Sequence, residues 1–204
     1  MMKKNMWSRW ILALAVVWPF MAAAHDRVRE KENFDFDWKF ILNADDRANA
    51  GMQVSEAGWQ DVQLPHDWSI SLNFDPKLSG SNGHLPGGIG WYRKTFRVDK
   101  KDKGRRIAVL FDGIYSRSDV YVNGQHLGFR PYGFCYQEYD LTPYLNYGAE
   151  NVLAVRVNNP LEHDSVARWY TGAGIYRHAW LVKTAEVHVA SYGTYVTTPV
   201  VTAE

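Results

Sequence analysis

Residues with the chemistry to act on a ligand gather in a few short stretches of this sequence. Arg168-Trp169-Tyr170 sets a guanidinium beside two aromatic rings. Such a trio can hold a sugar, because the apolar face of the sugar ring covers an aromatic while arginine donates to hydroxyls. It can equally seal the end of a β-sandwich, with Arg168 stacked on the rings. Glu162 and Asp164 stand just upstream as acceptors for ligand hydroxyls. Glu138 and Asp140, two apart on an expected strand, put their Cα atoms roughly 6.6 Å apart on one face. Retaining glycoside hydrolysis holds its two carboxyl groups about 5 to 5.5 Å apart. Asp35 and Asp37 alternate in the same way, however, as acids on any wet strand face do, so the Glu138/Asp140 pair reads as surface charge.

Other arrangements carry less. His163-Asp164-Ser165 holds the residue types of a nucleophile triad, but consecutive residues cannot line up as nucleophile, base and orienter. No two histidines fall at the three- or four-residue spacing of a helical metal site, so no metal or other cofactor is expected. His66, beside Asp67, reads as a hydrogen-bonded histidine at a strand end. Gly87-Gly88-Ile89-Gly90 and Gly172-Ala173-Gly174 do not open a helix after a strand, which phosphate cradling needs. They serve tight backbone bends at strand entrances.

The elements that must position these residues are strands. In Phe34 to Phe40 every even residue is aromatic and every odd one charged, the period of a strand with one wet face. Further strands are expected over Trp91 to Val98, Ile107 to Phe111, Asp119 to Val122, Tyr136 to Asp140, Asn151 to Val157, Ala179 to Lys183 and Glu186 to Val189. Asn123-Gly124 accepts the positive φ angles of a type I′ hairpin turn. No run of ten residues after the first 24 has helical spacing, and Ala44 to Gly58 is the one place for a brief helix or a long loop. The class is all-β, a sandwich. Ser69 to Gly90 and Asn158 to Arg177 are long connections of the kind that carry function.

Composition limits the choices. The 204 residues carry 23 Lys and Arg against 22 Asp and Glu, and 46% are hydrophobic. That excludes disorder, collagen-like repeats and coiled coils, and a near-neutral balance argues against nucleic acid as a partner. The single cysteine, Cys135, cannot form an intramolecular disulfide or a thiolate metal cage. Residues 1–24 have the form of a signal peptide: Lys3, Lys4 and Arg9 precede the apolar run Ile11 to Ala24, which ends on three alanines. That run is short of the roughly 20 residues a spanning helix needs, so a membrane anchor is the weaker reading. The exported part, 25–185 as one domain and 186–204 as the start of another, would be periplasmic or secreted, with no membrane contact after cleavage.

Four segments in order carry a resemblance: Leu64-Pro65-His66-Asp67-Trp68, Pro86 to Lys94, Val120-Tyr121-Val122-Asn123-Gly124, and Arg168 to Arg177. Together they resemble the N-terminal sugar-binding domain of glycoside hydrolase family 2, in its β-galactosidase branch. The resemblance implies a jelly-roll β-sandwich of the galactose-binding-domain-like kind. It also implies that His188 to Pro199 is the first strand of a following immunoglobulin-like domain, and that a catalytic (β/α)8 barrel with both catalytic glutamates lies further on. The partners implied are a β-galactoside-like carbohydrate and those downstream domains. Substrate contacts are implied at Arg168, Trp169, Tyr170 and Asp164, with His84 in the neighbouring Gly80 to Gly90 loop. Arg168 stands where several relatives carry an acid, and Thr171 where proline is expected, a change that loosens the turn. No position matches the catalytic glutamates, so this stretch alone is expected to be inactive. The alternatives are a stand-alone carbohydrate-binding module and a docking domain without sugar affinity.

Overall fold

The computed structural model describes residues 29–42, 44–160 and 169–202. The signal-peptide reading, Arg168, Asp164, Glu162 and the His163-Asp164-Ser165 stretch lie outside the described residues. Ten strands follow in order: β1 (Glu30–Asn33), β2 (Trp38–Leu42), β3 (Gln60–Val62), β4 (Gly88–Arg97), β5 (Arg106–Phe111), β6 (Ser118–Val122), β7 (Gln125–Arg130), β8 (Gln137–Asp140), β9 (Glu150–Asn159) and β10 (Ala179–Thr184). They form two antiparallel sheets, β1-β10-β5-β8 and β3-β2-β4-β9-β6-β7.

Alternation along the long strands explains the layers. On β9, Leu153, Val155 and Val157 enter the core between the sheets with Trp38, Phe40, Tyr92 and Phe111. Ala154 faces the opposite way and meets Trp91, Tyr121 and Ala50 in a second cluster. That cluster is dry because the segment after β2 folds over the outer face of the large sheet. Its short 3-10 turn, Arg47–Ala50, is capped by Asp46, whose Oδ1 accepts from Ala48 N at 2.8 Å. Arg93 and Arg156, both buried, hold the segment down. Arg93 Nε donates to Glu56 at 3.0 Å and its Nη1 to Gly51 O at 2.7 Å, while Arg156 Nε donates to Asp45 Oδ1 at 2.9 Å. Each buried guanidinium is thereby partnered, without which its burial would be strongly destabilising.

Two expectations need correction. Phe34 to Phe40 is not one strand, because the chain crosses from the small sheet to the large one between Asn33 and Trp38. Asp35 lies inside that crossing, 3% exposed, and its carboxylate accepts from Ala179 N at 2.8 Å and pairs with His178 Nδ1 at 2.7 Å. Phe36 is turned outward instead. Glu186 to Val189 and the rest of the tail to residue 202 form no strand. The N–H and C=O groups of a strand need a partner edge; the tail instead runs beside the sandwich, where Arg29 donates to Ser191 Oγ at 3.3 Å and Tyr192 packs on Tyr136 at 4.6 Å. Elsewhere the expected strands and the Asn123-Gly124 hairpin are present, both turn residues at positive φ.

Candidate functional site

At one end of the sandwich three chain segments are laced into a short ladder outside the named strands. His66 N donates to Ile175 O at 2.8 Å and Trp68 N to Ala173 O at 3.2 Å. On the other side, Tyr115 and Gly174 exchange both backbone hydrogen bonds, at 2.9 and 2.8 Å. Gly174 sits at φ 114°, and a Cβ there would fall 2.2 Å from the Tyr92 hydroxyl. Only glycine fits both that backbone region and that gap.

Asp67 is the hub. Its Oδ1 accepts from Ser69 N and Ala173 N, each at 3.0 Å, and its Oδ2 accepts a short hydrogen bond from the Tyr170 hydroxyl. Burial, together with this hydrogen bond and the carboxylate charge, raises the Tyr170 pKa above that of an ordinary phenol. Tyr170 is thus a neutral donor fixed in place. Thr171 does not loosen the turn as expected: it is buried, and its Oγ1 donates to Asn82 Oδ1 at 3.3 Å. This tie joins the turn to the loop that carries His84. His84, at φ 57°, curls into its own loop, its Nδ1 hydrogen-bonded to Leu78 O at 2.8 Å. The structure therefore brings Trp169 and Tyr170 together on the Asp67 turn, links His84 to them through Asn82, and leaves Arg168 and Asp164 outside the described residues.

Beyond Tyr170 the surface is aromatic. Trp169, 61% exposed, lies 6.5 Å from Phe134, which packs on Tyr115 at 5.2 Å and on Tyr132 at 5.7 Å. Tyr176 pins the loop of Tyr132 and Phe134 by donating to Gly133 O at 3.0 Å. Exposed rings held rigidly beside a polar hub can cover an apolar ligand face at little cost in side-chain freedom. The sequence reading missed Tyr132, Phe134 and Asp67; the first two lie in an irregular loop without periodicity, and Asp67 stood unassigned in the Leu64 to Trp68 motif.

The remaining candidates have structural work. His66 shares a 2.8 Å hydrogen bond with the Tyr92 hydroxyl and packs on Phe40, and burial lowers its pKa. Gly90 lies within β4, where a Cβ would approach Phe40 and Trp68 to 2.7 and 2.8 Å. Asp140 accepts from Thr142 Oγ1 at 2.6 Å and pairs with Arg106 at 3.3 Å on the outward face of β8, so it is committed to a turn. Among the described residues no group of three or more His, Cys, Asp or Glu gathers as a metal site.

Comparison with known proteins fits this architecture. The family model described as glycosyl hydrolases family 2, sugar binding domain, matches residues 32–185. The chain is 49% identical over 178 residues to a β-galactosidase of Bacteroides ovatus, covering 83% of this chain and 20% of that protein. It is 35% identical over 198 residues to a putative β-glucuronidase of Formosa agariphila, covering 96% of this chain and 19% of that one. The solved structure of a glycosyl hydrolase family 2 member from Bacteroides cellulosilyticus superimposes with a TM-score of 0.74 at 41% identity, over 85% of this chain and 23% of that one. The chain spans about a fifth of the length of the curated relatives it matches.

Proposed function

The chain belongs to glycosyl hydrolase family 2 through its sugar-binding domain, and from that membership we propose that it forms one wall of the sugar pocket of an exported β-galactosidase-like glycosidase. The observation that carries this reading is the turn fixed by Asp67, which displays Trp169 and Tyr170 beside an aromatic surface. Tyr170 offers a neutral hydroxyl and Trp169 an open ring face, a combination suited to one face of a pyranose and its hydroxyls. In this reading Arg168, adjacent to Trp169 in sequence, and Asp164, further upstream, are additional substrate contacts. Supporting a galactoside over a glucuronide is the higher identity to the β-galactosidase relative.

In this reading the sandwich is the jelly roll of residues 25–185, and residues 186–204 begin an immunoglobulin-like domain, whose first strand pairs once the rest of that domain lies beside it. Hydrolysis of terminal β-galactosides is the work of two carboxylates on a barrel outside these residues; this wall orients the substrate. Residues 1–24 direct export. Purified chain incubated with p-nitrophenyl β-galactoside is expected to release no nitrophenol above the background of an equally purified, unrelated protein. The same chain joined to the downstream coding sequence of its gene is expected to do so, with KM raised at least fivefold by Trp169→Ala. Turnover by the chain alone, or a joined enzyme indifferent to Trp169→Ala, would overturn the reading. A docking domain without sugar affinity is the competing account, favoured by the packing of tail residue Tyr192 on Tyr136; it predicts that indifference.

A further inference from the structure

The aromatic surface beyond Tyr170 extends past the residues assigned to the sugar wall. Trp169, Phe134 and Tyr132 are all exposed, and ring contacts run without a break from Trp169 through Phe134 to Tyr132. Contiguous apolar side chains left on a folded surface mark a place where an apolar partner or ligand face binds.

The loop that carries Tyr132 and Phe134 is seated on the sandwich. Pro131 O accepts from Arg117 N at 3.3 Å, and Gly133 O accepts from the Tyr176 hydroxyl at 3.0 Å. Gly133 also lies directly on Tyr115: a Cβ there would fall 2.5 Å from the Tyr115 ring and 3.0 Å from Ile114 O. Phe134 rests on the same Tyr115 ring, which is buried and whose backbone is laced to Gly174. The exposed rings therefore stand on a fixed backbone, and a ligand that covers them does not first have to order the loop.

Position and chemistry narrow the occupant. Trp169 is the neighbour of Tyr170, whose hydroxyl is bound to Asp67, so the surface is continuous with the polar turn. Hydroxyls are met at one end and a flat apolar face at the other. Rings bind by shape and apolar area, whereas a sugar is told from its epimers through hydrogen bonds to its hydroxyls. The Phe134 end is thus suited to the half of a substrate that needs only to be covered. We infer that Phe134 and Tyr132 seat the leaving group of a β-galactoside, the part beyond the scissile bond, when that part is a ring with an apolar face, aryl or pyranose. The inference rests on the reading of Trp169 and Tyr170 as a wall of the sugar pocket, and it names the substrates that wall favours over simple alkyl galactosides.

The test uses the chain joined to the downstream coding sequence of its gene, with p-nitrophenyl β-galactoside, lactose and methyl β-galactoside as substrates. Phe134→Ala and Tyr132→Ala are each expected to lower kcat/KM for a ring-bearing substrate at least fivefold more than for the methyl galactoside, which has no ring to seat. Phe134→Tyr, which keeps the ring, is expected to retain the parent's preference. Both side chains are exposed, so the alanine variants should fold, which circular dichroism checks. A selective loss confined to the nitrophenyl substrate supports an aryl leaving group, and one confined to lactose supports a sugar. Equal losses on all three substrates, no loss on any, or the same loss with Phe134→Tyr would overturn the proposal. Trp169→Ala separates the two readings. If it weakens all three substrates while Phe134→Ala changes none, the wall stands and the leaving-group seat falls; if neither variant changes any substrate, both fall.

Discussion

Replacing Asp67 with alanine should be the most damaging single change at the aromatic end, and its size can be worked from the contacts. Ser69 and Ala173 are both fully buried, so their N–H groups, which each donate to Asp67 Oδ1 at 3.0 Å, would be left without a partner where water does not reach. Each such loss costs about 1 to 3 kcal/mol. The Tyr170 hydroxyl is part-exposed and returns to water, adding under about 1 kcal/mol. The expected total is about 4 kcal/mol, or a fall of roughly 8 to 16 °C in Tm for a domain of this size. Asp67→Asn keeps one acceptor oxygen and should cost less than half as much, and Tyr170→Phe should lie below about 1 kcal/mol. Urea unfolding followed by tryptophan fluorescence measures all three, and the Asp67→Ala, Tyr170→Phe double variant measures the coupling. An Asp67→Ala protein within about 1 kcal/mol of the parent would refute the argument that this carboxylate organises the turn.

Two further outcomes follow from the same geometry. Gly174→Ala should destabilise by more than about 3 kcal/mol, since its Cβ would overlap the Tyr92 hydroxyl and the His66 carbonyl, at 2.2 and 2.8 Å; Gly58→Ala, at φ 82° with open space around it, is the control and should cost about 1 kcal/mol. Equilibrium unfolding of the two compares them directly. Stability should also fall at both ends of the pH range. Tyr139 is pushed up to about 12 by burial, so between about pH 10 and 12 the unfolded chain has lost a proton that the folded one keeps, and stability drops by about 1 to 2 kcal/mol after allowance for solvent screening. His66 is lowered by burial, so its contribution is present above about pH 6.5 and is lost as pH falls below that value toward its folded pKa. Chemical denaturation at a series of pH values checks both limbs, and Tyr139→Phe should flatten the alkaline one.

Much of the fold was legible because strands announce themselves through period two and the hairpin through Asn-Gly. β4, β5, β6 and β9 lie where alternation or apolar runs put them. Phe34 to Phe40 misled because alternation was intact in sequence while the chain was changing sheets, and Asp35 met its partners Ala179 and His178 far along the chain. The site was legible as residue types and not as a constellation. Trp169 and Tyr170 stood out as aromatics in a long connection, but the acceptor that fixes Tyr170 is 103 residues away. Nothing local to His66-Asp67 distinguishes an organising carboxylate from an ordinary turn residue. Thr171 was misjudged for the same reason, because Asn82, which holds it, lies 89 residues upstream.

The connection that leaves β9 departs and returns at points fastened to each other. Asn159 Nδ2 donates to Gly172 O at 3.4 Å, and Tyr170 and Thr171 are tied to Asp67 and Asn82. Both ends of that connection are thus anchored on one patch, and descendants of one ancestor inheriting these anchors would share the same foundation for whatever span lies between them.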